Sequence, residues 1–120
     1  MLVDTSVWVD HLRRRNARLG SRLENGEVEC HPFVIGELAC GNLKNRAELL
    51  ELLAALPRVL EADHDEVLAF IESNRLMERG LGWVDTHLLA SARLNRTSLW
   101  TFDKRLAAEA RALRICFDVE

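Results

Sequence analysis

Met1-Leu2-Val3-Asp4-Thr5-Ser6 is an apolar run that stops at an acid and then at two hydroxyl residues. Such a run reads as a short buried strand that delivers a carboxylate to the edge of a sheet, with Thr5 or Ser6 capping the helix that follows. In open α/β folds that edge is where ligands bind. Asp4 alone has two readings, a helix cap or a site residue. Further acids at equivalent edges would decide between them.

Ser98-Leu99-Trp100-Thr101-Phe102 repeats the pattern, ending at Asp103 before a helix through Leu106, Ala107 and Ala110. Between the two copies, Gly80-Leu81-Gly82-Trp83 reads as a flexible loop. A helix then opens with Val84-Asp85-Thr86-His87, which puts Asp85 in a first turn favoured by the helix dipole. Pro32 suits the first turn of another helix, Pro32-Phe33-Val34-Ile35-Gly36-Glu37-Leu38-Ala39-Cys40-Gly41, in which Glu37 is the lone charge. Glu37 is either a buried carboxylate that needs a partner or a residue on the one exposed stripe of a short helix.

The remaining elements read as scaffold. A short helix after Ser6 ends in Arg13-Arg14-Arg15, and Val28 to His31 and Val59-Leu60 suggest brief strands. The Leu49, Leu50, Leu53, Leu56 pattern is a core helix. Asp63 with Glu66 makes a capping box for a helix expected to run to Arg79-Gly80, and Arg114 to Val119 an edge strand in which Asp118 is solvated. Strands alternating with helices imply parallel βαβ units, so Asp4, Asp85 and Asp103 converge on one edge, and Glu37 can join them.

Close carboxylates repel one another, and a divalent cation resolves the conflict. All-oxygen coordination suits Mg²⁺ or Mn²⁺, which can lower the pKa of a water and stabilise charge on a phosphoryl oxygen; the chemistry indicated is phosphodiester hydrolysis. Thr5, Ser6 and Thr101 lie beside the acids, where they can hold a water or a phosphate oxygen, or serve only as caps and strand residues.

At 120 residues and 48% hydrophobic, residues 1–120 form a single domain able to bury a core. The net charge of −3 argues against a generally basic nucleic-acid coat but leaves local clusters open, such as the run from Arg13 to Arg22, a solvated loop or a nucleic-acid contact. Three cysteines without C-x-x-C spacing indicate neither disulfides nor zinc. With neither an apolar leader nor a membrane-length apolar window, a cytoplasmic protein without a membrane partner is expected. His11, His31 and His87 read as satisfied structural residues, Trp8 and Trp100 as core or dimer packing, and Trp83 as a contact for substrate.

Val3-Asp4-Thr5-Ser6, the lone Glu37, Asp85-x-x-Leu-Leu-Ala-Ser-Ala and Leu99-Trp100-Thr101-x-Asp103-x-x-Leu106 together resemble the successive acidic motifs of PIN-domain ribonucleases, in the small form used by VapC toxins of bacterial VapBC toxin–antitoxin pairs. The resemblance spans essentially the whole chain. Order, length and the eighteen residues from Asp85 to Asp103 make it specific. It implies a three-layer α/β/α PIN-like domain with a central parallel sheet of four to five strands, and metal-dependent endoribonuclease cleavage leaving a 5′-phosphate and a 3′-hydroxyl. By position Asp4, Glu37, Asp85 and Asp103 would be the metal-binding acids and Thr101 the hydroxyl before the last of them. The implied partners are transfer or ribosomal RNA, a second copy of the chain in a homodimer, and a VapB-type antitoxin in a hetero-oligomer; operator DNA is reached only through the antitoxin. Many relatives carry another acid after the last motif, where Lys104 and Arg105 stand here, so these two are candidates to meet the RNA backbone. The alternatives are, from another class, a catalytically silent PIN fold used only for binding and, as the enzymatic rival, a haloacid-dehalogenase-like phosphatase. That phosphatase needs a second Asp two residues after the first, and position 6 is Ser.

Overall fold

The computed structural model describes residues 1–117. In chain order the elements are β1 (Leu2–Val3), α1 (Thr5–Arg14), α2 (Ala17–Glu24), α3 (Pro32–Cys40), α4 (Arg46–Ala55), α5 (His64–Asn74), α6 (Trp83–Leu94), β2 (Leu99–Trp100) and α7 (Lys104–Ala112). β1 and β2 pair in parallel, Leu2 opposite Leu99 and Val3 opposite Trp100.

Single parallel bridges extend this pair on both sides: Leu2 to Glu29, Cys30 to Arg58, and Leu99 to Cys116. The sheet is therefore five chain segments wide, but only two of them are regular strands. The expected strand from Ser98 to Phe102 shrinks to two residues, and those near Val28, Val59 and Cys116 to single bridges, because each segment leaves the sheet for a helix or turn after one or two ladder bonds. Asp118 and Val119, the end of the expected edge strand, lie outside the described residues.

Successive side chains of a strand point to opposite faces. Leu2, Val3 and Leu99 are fully buried and Trp100 nearly so, so helices cover both faces of the sheet, as a parallel sheet requires. α1 packs on α2 and α3, α3 on α4, and α5 on α6, which also lies against β2. Every residue of α6 from Thr86 to Ala92 is buried. A helix enclosed on all sides is the core of the fold, and it carries Asp85 at its start.

Local chemistry sets the helix ends. Asp63 accepts the Glu66 amide while the Glu66 carboxylate accepts the Asp63 amide, the expected capping box of α5. That helix stops at Asn74, one turn earlier than the expected Arg79, because Arg75 takes a left-handed conformation and Leu76 turns into the core. At α1 neither Thr5 nor Ser6 is the cap; the capping position is Asp4, whose side chain makes no capping bond. Its carboxylate is engaged elsewhere.

Candidate active site

Asp4 follows β1, Thr101 and Asp103 follow β2, Asp85 sits in the first turn of α6, and Glu37 lies on α3. The parallel pairing brings the ends of β1 and β2 side by side, as the Asp4 amide bond to the Trp100 carbonyl shows.

Around Asp4 the structure is a closed set of hydrogen bonds. Thr101 Oγ1 donates to Asp4 Oδ2 at 2.7 Å and Ser6 Oγ donates to the same oxygen at 2.8 Å. Each hydroxyl in turn accepts a backbone amide, Thr101 from Asp103 at 3.0 Å and Ser6 from Phe102 at 3.0 Å. Asp4 is only 7% exposed, so these charge-assisted bonds offset its desolvation and fix its orientation. Thr5, facing the other way, donates through Oγ1 to Glu37 Oε1 at 2.7 Å. The hydroxyls expected beside the acids thus tie one acid to the next.

Glu37 is exposed, so the exposed-stripe reading of α3 is the one realised, and the stripe faces the acids. Asp103 caps α7 by accepting the Leu106 amide at 3.0 Å. Asp85 is half-buried, and its pKa lies above the ordinary carboxylate value. Burial is the largest cause; the negative charge of Asp4 follows, then those of Asp103 and Glu37, while a hydrogen bond with the Gly82 backbone opposes them. The four acids therefore share one electrostatic neighbourhood with an excess of negative charge, the condition that a divalent cation satisfies.

Their oxygens are not drawn into a tight cage. Among the described residues, the one group of three donor atoms all within 4.8 Å of one another is His31, Glu61 and His87. Both nitrogens of His31 are occupied, Nδ1 accepting the Phe33 amide at 3.0 Å and Nε2 lying 3.1 Å from Ser91 Oγ. That satisfied geometry is a hydrogen-bonded core contact, as expected for His31. His87 differs from expectation, because its buried Nδ1 has no hydrogen-bond partner among the described residues.

The other candidates surround the acids unevenly. Trp83 is the first residue of α6 instead of part of the preceding loop, because Gly82 takes the cap position; it is 40% exposed with its ring against His64 and His87. Arg13 is exposed near the end of α1, and Lys104 is exposed at the start of α7. Arg105 runs along Gly80, where an added Cβ would stand 3.0 Å from its Nη1. Trp8 and Trp100 are buried, as core packing requires. Beside Glu37 lies an open depression of about 630 Å³ lined by Pro32, Phe33, Gly36, Cys40 and Val84. Phe102, which the sequence reading passed over, is 50% exposed between two site residues. No alternation in the sequence marks it, because Leu99, Trp100 and Thr101 are all buried in succession and Phe102 lies beyond the end of β2.

Residues 1–112 match the PIN domain family. The chain is 51% identical over 109 residues to Ribonuclease VapC32 of two Mycobacterium tuberculosis strains, CDC 1551 / Oshkosh and H37Rv, a match that covers 90% of this chain and 88% of the relative. The chain belongs to the PIN-domain family, in its VapC type. Its fold also matches the crystal structure of PAE2754 from Pyrobaculum aerophilum, with a TM-score of 0.60, 20% identity, and coverage of 95% of this chain and 87% of that one. At that identity the likeness concerns the fold, and it agrees with the α/β architecture. The haloacid-dehalogenase alternative is set aside by the family match.

Proposed function

We propose that this VapC-type PIN protein is a metal-dependent endoribonuclease and the toxin of a type II toxin–antitoxin pair. The observation that carries the reading is the convergence on Asp85: three other carboxylates, Asp4, Asp103 and Glu37, act on it through their charges at the edge of a parallel sheet. The donor set is all oxygen and hard, which fits Mg²⁺ or Mn²⁺ held by Asp4, Glu37, Asp85 and Asp103. Such an ion, when bound, lowers the pKa of a water and stabilises charge on a phosphoryl oxygen.

The chain's own residues supply the rest. Thr101 and Ser6 orient Asp4, Thr5 steadies Glu37, and Asp103 presents its carboxylate from a capped helix start. Lys104, beside that acid, offers a cation to the RNA backbone, as does Arg105. The apolar depression next to Glu37 suits a segment of a VapB-type antitoxin, which would cover the acids without entering the sheet. A cytoplasmic location fits a protein that acts on transfer or ribosomal RNA, and no helix among the described residues is long and apolar enough to cross a membrane.

The test is expression of wild type and Asp4→Asn, followed by mapping of RNA 5′ ends, with the purified protein assayed on total RNA in Mg²⁺, Mn²⁺ or EDTA. Discrete new 5′-phosphate ends that vanish with Asp4→Asn and with EDTA support the reading. Cleavage that survives both would overturn the metal mechanism, and no cleavage with either metal would favour a silent binding module.

A further inference from the structure

Phe102 is an exposed aromatic held rigidly at the rim of the acid cluster. Its amide donates to Ser6 Oγ, which is bonded to Asp4, so its backbone is tied to the site. Its ring stands edge-on to the buried Trp100 at 6.1 Å and 85°, which leaves it half exposed to solvent. Single exposed apolar side chains are common on protein surfaces; what sets Phe102 apart is that its ring walls a depression tied to the acids.

The ring forms one wall of a depression of about 400 Å³ whose remaining lining is Ser6, Val9, Asp10, Arg13 and Arg14. These five lie on one face of α1 at helical spacing, beginning at the acids and running away from them. Arg14 donates to Asp10 at 2.8 Å and Asn16 donates to the other Asp10 oxygen at 3.1 Å, so the acid in the lining is already compensated. Arg13 takes part in no ion pair among the described residues. The depression therefore offers an aromatic face, an aliphatic floor and one unopposed cation. Arg13 stands seven positions after Ser6 on the helix, about 10 Å along the axis.

We propose that Phe102 and Arg13 form a nucleotide subsite next to the acid cluster, in which a base stacks on Phe102 and its phosphate meets Arg13. An anionic, π-faced ligand is the one that uses both walls, and the link through Ser6 makes the subsite continuous with Asp4. Through the Ser6 link, a base stacked on Phe102 would neighbour the phosphate at the acids. This inference rests on the ribonuclease reading for its consequence in cleavage, but binding can be read without it.

The experiment compares wild type, Phe102→Ala, Phe102→Trp and Arg13→Ala. On total RNA with Mn²⁺, Phe102→Ala is expected to raise KM about 10-fold with kcat within about 3-fold, and to relax the sequence preference at one nucleotide beside the cleavage point; Phe102→Trp keeps both. Arg13→Ala raises KM and weakens its salt dependence. Binding is followed separately with a short single-stranded RNA of mixed sequence carrying 2-aminopurine, which loses fluorescence when it stacks. Quenching by wild type and Phe102→Trp but not by Phe102→Ala supports the subsite, even if no cleavage is found, in which case only the ribonuclease reading falls. Equal quenching by all variants, or KM and preference unchanged in Phe102→Ala, overturns it. A drop in oligomeric mass of Phe102→Ala, measured by light scattering, also overturns it, because the ring would then be covered by a second copy.

Discussion

Thr101 Oγ1 donates to Asp4 Oδ2 at 2.7 Å across 97 residues of chain, and both partners are buried. This one bond joins the ends of the two regular strands and orients the innermost acid of the site. Thr101→Val keeps the shape and removes the donor. It is expected to lower stability by about 1–3 kcal/mol in urea unfolding, since the carboxylate and the Asp103 amide both lose a partner. Cleavage of total RNA should fall about 10- to 100-fold, as when a residue that orients a metal ligand is lost. Thr101→Ser should recover most of both.

Asp85 bears the charges of its neighbours, so its removal separates stability from activity. An acid whose folded-state pKa is raised is penalised when ionised, and the penalty grows as pH rises from its ordinary value of 3.8. Asp85→Asn is therefore expected to melt higher than wild type at neutral pH, with the gap closing below about pH 4. Its cleavage should be at least about 100-fold weaker. Thermal melts across pH, without added metal, read the first effect. Millimolar Mn²⁺ should stabilise wild type and leave Asp85→Asn nearly unmoved.

His31 predicts an opposite acid limb. Burial, with a smaller effect from His87, pushes its pKa down to about 4 from an ordinary 6.5. The folded state keeps the ring neutral while the unfolded chain takes up a proton below pH 6.5. Its contribution to stability is thus complete above pH 6.5 and lost as pH falls toward 4. Melting temperatures recorded over that window should decline, and the slope should flatten in His31→Gln; an unchanged slope would place the acid sensitivity elsewhere.

Gly80 has φ of +77°, and a Cβ there would press on the Arg105 guanidinium. Gly80→Ala is expected to cost about 1–2 kcal/mol, from the left-handed backbone and the displaced side chain. Because the loop of Gly80 leads into α6, the variant should also lose part of its activity; chemical denaturation and the RNA assay read the two effects.

The acids were legible because each is set where a short apolar run breaks, at Val3-Asp4 and Trp100-Thr101-Phe102-Asp103, or at a helix start, as at Asp85. Position along the chain encodes such placement directly. Glu37 could not be resolved that way, since a lone charge in an apolar helix looks alike whether it points into the core or across a groove; only the packing of α3 against α1 aims it at Thr5. Strand length was overread for a related reason. Apolar runs report burial, and Phe117 is partly buried against the core while pairing covers only one residue before it. Likewise Gly80 and Gly82 suggested an open loop through Trp83, but the helix begins as soon as Gly82 can cap it.

Two of the four acids are fixed by the body of the molecule: Asp4 between two hydroxyls beneath the surface, and Asp85 at the head of a helix buried on every side. The other two, Glu37 and Asp103, stand at the surface. A regulator has no purchase with which to pull the inner pair apart short of unfolding the domain. On the function proposed above, control of the site would then work by covering it, and would reverse as fast as the cover dissociates.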